Sequence, residues 1–119
     1  MTYIRSYKDL IVWQKSIDTV QAVYNLVSKF PREEIYGLTS QMKRAAVSIP
    51  SNIAEGYGRK SVKEYAQFYS IAYGSGLELE TQIIIAKRLE FGKLADYKEV
   101  DLFLEEVLKM LNAMSRKDR

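Results

Sequence analysis

Apolar positions recur along this chain at steps of three and four, and nowhere do they alternate at a step of two. In the first long segment Leu10, Trp13, Ile17, Val20, Tyr24 and Val27 keep that rhythm, which winds them into a heptad stripe on one α-helix. Phe30-Pro31 ends it, because the residue before a proline disfavours the α region. Residues 31–37 (PREEIYG) suit a tight turn with an acidic lead into a second helix, from about Leu38 to Tyr57. Its apolar face runs through Leu38, Met42, Ala45, Ala46, Ile49 and Ile53, and Gly56-Tyr57-Gly58 stops it. Ser61 and Glu64 have the spacing of a capping box and start a third helix at Val62. This helix turns Tyr65, Phe68, Tyr69, Ala72, Leu79, Ile83 and Ala86 inward, with Gly92 as its C-terminal stop. Asp96 and Glu99 repeat the cap before a fourth helix that carries Val100, Phe103, Leu104, Val107, Leu111 and Met114, and Arg116 to Arg119 fray beyond it. Long amphipathic helices with short connections predict an all-α fold. It is an antiparallel up-down-up-down four-helix bundle, one domain over residues 1–119.

Three details do not fit a plain bundle. Pro50 falls inside the second helix, where a proline removes a backbone hydrogen bond, clashes with the preceding turn and costs about 3 kcal/mol; a kink is expected there. Gln41, Arg44, Ser48, Asn52, Glu55 and Arg59 form a polar stripe on the same helix, since steps of three and four share a face. Gly74 and Gly76 interrupt the third helix at about 1 kcal/mol each against alanine. Small residues let another backbone approach, so Gly74 and Gly76 are expected to meet Ala45, Ala46 and Ser48. Ser75, Glu78 and Gln82 would then lie beside Ser48, Asn52 and Glu55, with Arg44 and Arg59 neutralising the carboxylates.

Composition narrows the chemistry. The chain has 119 residues, no cysteine and no histidine. Disulfides, thiolate nucleophiles, Ser-His and Cys-His catalysis and the common zinc and Glu-x-x-His di-iron sites are therefore excluded. The N-terminal residues MTYIRSYKDLIVW lack a signal-peptide core and no apolar run approaches bilayer length, so a cytoplasmic protein is expected. Net charge is +3. Residues 1–31 and 32–60 carry +2 each, residues 61–92 carry −1 and residues 93–119 are neutral. The excess in the first half suits attraction to phosphates, or simply a basic solvated surface.

The blocks YKDLIVWQKS (7–16), FPREEIYGLTSQMKRAAVSIPSNIAEGYGR (30–59) and KEYAQFYSIAYGSGLELETQ (63–82) resemble the 23S rRNA-intervening-sequence proteins. The accessory variability protein of diversity-generating retroelements belongs to the same group. The most specific parts are SIPSNIAEG (48–56) and GSGLELE (74–80); Tyr7 stands where the family usually has phenylalanine. The resemblance implies a four-helix bundle assembled as a homopentameric ring or barrel and does not imply an enzyme; no enzymatic activity and no cofactor are expected. It also implies a basic surface that meets RNA or DNA in some members.

Two readings of the residues follow. In the first, Lys43, Arg59, Lys60 and Lys63 contact nucleic-acid phosphates, with Tyr57, Tyr65 and Tyr69 available for stacking. In the second, the protein is an assembly scaffold without nucleic acid that gathers another protein. The polar stripe of Arg44, Ser48, Asn52, Glu55, Ser75 and Glu78 would then set register between helices or subunits. An acid-base or metal site built from Glu55, Glu78 and Glu80 is disfavoured. Residues two apart point about 200° away from each other on a helix, so Glu78 and Glu80 do not converge.

Overall fold

The computed structural model describes residues 3–115 and contains four α-helices: Ile11–Val27 (α1), Leu38–Tyr57 (α2), Val62–Arg88 (α3) and Lys98–Ser115 (α4). No strand occurs among the described residues, and the expected fraying of Arg116 to Arg119 falls outside them. α1 packs on α2 and α4, and α3 packs on α2 and α4, so the helices follow one another around a four-cornered bundle. The contact between α2 and α3 is the most extensive. The expected four-helix bundle is what forms.

Local chemistry sets the helix ends. The Ser61 hydroxyl accepts from the Glu64 backbone N–H at 3.1 Å and donates to the Glu64 carboxylate at 3.0 Å. Half of the expected capping box is present; the returning carboxylate takes the hydroxyl rather than the cap's backbone N–H. At the start of α2, Glu34 accepts from the Leu38 backbone N–H at 3.0 Å, which supplies the acidic lead read from PREEIYG. Asp96 does not cap α4 directly. It accepts from the Lys93 N–H at 2.8 Å and closes a 3-10 turn, Leu94–Tyr97, ahead of that helix. A second 3-10 turn, Tyr7–Asp9, capped by Ser6, precedes α1. α3 ends at Arg88, four residues before Gly92. Phe91 N–H bonds Ala86 C=O and Glu90 N–H bonds Lys87 C=O, both at 3.0 Å, with Glu90 in the left-handed region at φ 60°. That is a Schellman closure made without glycine at its left-handed position.

The core of α1 differs from the heptad stripe. Its buried residues are Val12, Ser16, Thr19, Ala22, Val23, Leu26 and Val27, so of the expected stripe Val27 is buried, while Ile17 and Tyr24 are exposed and Leu10, Trp13 and Val20 are half-buried. Two hydroxyl residues pass for apolar ones here because each is satisfied within its own helix. Ser16 donates to Trp13 C=O at 2.6 Å and Thr19 to Lys15 C=O at 2.8 Å. The other stripes hold better: Met42, Ala46, Ile49 and Ile53 of α2, Leu79 and Ala86 of α3, and Val100, Val107 and Leu111 of α4 form the centre. α2 runs unbroken through Pro50, whose ring is buried. Packing of that ring in the core offsets part of the lost backbone bond.

The glycines act differently from the expectation. A Cβ on Gly76 would come within 2.6 Å of Leu108 Cδ2, so Gly76 makes room for α4 rather than α2. Gly74 is exposed, with nothing within 4 Å of such a Cβ. The close approach between α2 and α3 is made by Gly56, where a Cβ would lie 3.0 Å from Phe68 Cβ and 3.2 Å from Tyr65 C=O.

Candidate functional site

Two surfaces carry the candidate residues. The first is the polar seam between α2 and α3. Ser48 and Ser75 share a hydrogen bond of 2.8 Å across the two helices, and Asn52 Nδ2 donates to the Ser48 C=O at 2.8 Å and to its Oγ at 3.0 Å. The seam brings Ser48, Asn52 and Ser75 together as expected. Its charged members stay outside it. Glu55 is exposed and pairs with Arg59 at 2.9 Å, one helical turn away. Glu78 is exposed and, among the described residues, meets only the Gln82 amide, at 3.5 Å.

Arg44, the expected counter-charge of the stripe, is exposed and makes no ion pair among the described residues. The reason is that the inner seam is built from neutral hydroxyl and amide groups, which satisfy one another and need no counter-charge. Gln82 is buried beside it, and its Oε1 is the buried side-chain polar atom without a partner among the described residues.

The second surface is the end of the bundle where α1 begins and α2 hands over to α3. Lys60 and Lys63 are exposed there and make no ion pair among the described residues. The 3-10 turn before α1 packs against α2 and adds Arg5 and Lys8, also exposed, to the same end. The carboxylates nearby are already engaged: Asp9 accepts from the Arg5 and Ser6 N–H groups, Glu55 holds Arg59, and Glu64 accepts from Ser61. Arg59 is the least available of the expected phosphate contacts, since its guanidinium lies 4.5 Å from the Phe68 ring centroid as well as on Glu55.

Lys43 does not join this end. Sixteen positions at 1.5 Å each separate it from Arg59, about 24 Å along the bundle. Its Nζ lies 4.8 Å from the Tyr24 ring centroid instead. Of the tyrosines offered for stacking, Tyr69 is buried, with its phenol raised above the ordinary value by burial and then by Tyr65 and Tyr57. Tyr65 packs edge-on against it at 5.2 Å, which leaves Tyr57 as the exposed ring.

Sequence reasoning missed Arg5 and Lys8 because they lie far from Lys60 along the chain; only the antiparallel run of α1 and α2 brings them to one end. No grouping of three or more carboxylates able to hold a metal ion occurs among the described residues. No described helix is long and apolar enough to cross a membrane.

A family model described as 23S rRNA-intervening sequence protein matches residues 8–113. No curated protein matches the chain significantly. Among solved structures, the chain is similar to a protein of unknown function from the S23 ribosomal protein family of Bacteroides thetaiotaomicron VPI-5482. The two are 22% identical, with a TM-score of 0.78 over 88% of this chain and 98% of that chain. That likeness carries the fold.

Proposed function

We propose, for a chain that belongs to the 23S rRNA-intervening sequence protein family, a non-enzymatic, homo-oligomeric bundle that binds nucleic acid through backbone phosphates. The observation that carries this reading is the cationic end, where Arg5, Lys8, Lys60 and Lys63 are exposed while the neighbouring carboxylates are occupied. With Arg59, this end holds five cations against the three carboxylates Asp9, Glu55 and Glu64, and that excess positive charge releases counterions when it meets phosphates, which favours binding without reading sequence. A cytoplasmic ring, five subunits in the form the family resemblance implies, would repeat this end once per subunit and multiply a weak contact.

Titration of the protein into labelled structured RNA and duplex DNA at several salt concentrations tests the reading by fluorescence anisotropy. Binding is expected at low salt, weakening steeply as salt rises, with a shallower slope for Lys60→Glu/Lys63→Glu. No binding to either nucleic acid at low salt rejects it.

A scaffold that gathers a protein partner, without nucleic acid, is favoured by one separate observation. Tyr36 is 96% exposed and Leu94 77% exposed, large apolar groups of the kind concentrated at protein interfaces.

A further inference from the structure

Two surface patches on opposite sides of the bundle differ in charge and share apolar character. On the α1/α2 side, a cleft of about 380 Å³ and the shallower surface beside it are lined by Arg32, Lys43 and Arg44 with no carboxylate. The apolar part of this patch is large and wet: Tyr24, Ile35, Tyr36 and Val47 are all at least two-fifths exposed. On the α3/α4 side, a cleft of about 430 Å³ is lined by Glu80, Asp101 and Glu105 against the single cation Lys87, which is already paired with Asp101 at 2.7 Å. Ile84 is half exposed on its wall. Because α1 neighbours α2 and α3 neighbours α4 around the four corners, these faces point away from each other.

The patches also lie at one height. The Ser48–Ser75 hydrogen bond fixes the register of the antiparallel α2 and α3, which brings Lys43 level with Glu80 and Thr39 level with Ile84. The Lys87–Asp101 pair then carries that level across to α4. A basic patch and an acidic patch on opposite faces at equal height cannot meet within one molecule. They meet between two copies standing parallel, and a head-to-tail contact of that kind repeats from copy to copy, as a ring where the rotation between copies closes and as an open row where it does not.

We infer that the α1/α2 face of one subunit docks on the α3/α4 face of the next, with Lys43 and Arg44 of the first set against Glu80 and Glu105 of the second. The inference rests on the homo-oligomeric reading and supplies its interface. Tyr24 and Tyr36 are the aromatic anchors and the charges select the partner face.

Charge reversal tests it on the full chain, with native mass spectrometry and sedimentation for assembly and circular dichroism for folding. Lys43→Glu/Arg44→Glu and, separately, Glu80→Lys/Glu105→Lys are expected to fall to the 13.8 kDa subunit with wild-type helix content. The quadruple variant restores opposite charges on the two faces and is expected to recover the wild-type mass. Pairs that keep the wild-type mass overturn the interface while leaving the oligomer intact. A folded quadruple variant that stays monomeric overturns it as well. Unchanged mass with weakened RNA binding in Lys43→Glu/Arg44→Glu overturns it by giving that face to nucleic acid. A monomeric wild type removes the interface and the homo-oligomeric reading together.

Discussion

Tyr97 closes the turn between α3 and α4 with a buried ring and a hydroxyl that donates to the Phe91 C=O at 2.6 Å. Burial, followed by the Asp96 and Asp101 carboxylates, pushes its phenol from 10.0 up to about 12. The folded state therefore holds this proton more tightly than the unfolded chain does. The stability it contributes is complete below 10.0 and is lost as pH rises towards about 12. Tyr97→Phe is expected to lose about 1–3 kcal/mol at neutral pH, because the Phe91 carbonyl is left without its donor. Its melting temperature should also fall less steeply than the wild type's across that alkaline window; parallel slopes would reject the assignment. A few residues upstream, Glu90 adopts φ 60°, a conformation that costs a non-glycine residue roughly 1–2 kcal/mol. Glu90→Gly should raise the melting temperature, by about 1 kcal/mol of stability once the greater freedom of glycine in the unfolded chain is counted. An unchanged or lower melting temperature would show that the Glu90 side chain contributes more than its backbone strain removes.

Packing between elements separates glycines that look alike in the sequence. Gly56→Ala drives a methyl to 3.0 Å from Phe68 Cβ and 3.2 Å from a backbone carbonyl, so α2 and α3 must part; a destabilisation of about 1–3 kcal/mol is expected. Gly74→Ala points its methyl into open space and should gain about 1 kcal/mol through helix propensity alone. Thermal melts of the two variants should move in opposite directions, and a destabilised Gly74→Ala would mean that another subunit covers that face. This contrast marks how far the sequence can be read. Helix existence and the α2 and α4 faces follow from spacing, because Ile49, Ile53, Val107 and Leu111 are large and their polar neighbours unambiguous. The α1 face does not, because Ser16 and Thr19 hide their hydroxyls on their own helix and enter the core as small residues. Gly76 meeting Leu108 and Gly56 meeting Phe68 depend on which helices are neighbours, which spacing alone does not encode. The polar seam is half legible for the same reason: Ser48, Asn52 and Ser75 converge, while Glu55 finds a closer cation in Arg59, two residues past the end of α2.

At the scale of the whole molecule, the charges sort by end and by face. Lys60 and Lys63 occupy the end where α2 passes to α3, and Lys43 and Arg44 lie on α2 towards the opposite end. The composition shows only a net +3, and the two cationic groups read as one cluster until the length of α2 is counted out between them. Once they are apart, phosphate binding and self-association become separable properties. Lys60→Glu/Lys63→Glu is expected to keep the wild-type mass, since neither side chain lies on the docking faces. Its RNA affinity should fall, and its slope of log K against log salt should flatten by about 0.7–0.9 for each phosphate it no longer neutralises. The docking-face pairs should change mass first. Any weakening of nucleic-acid binding they show should come from the missing avidity of an assembly that no longer forms, recovered in the quadruple variant together with the mass. Native mass and anisotropy measured on the same preparations decide it. If Lys60→Glu/Lys63→Glu dissociates the oligomer, the cationic end is itself part of the subunit interface, and the division of labour between the end and the faces fails.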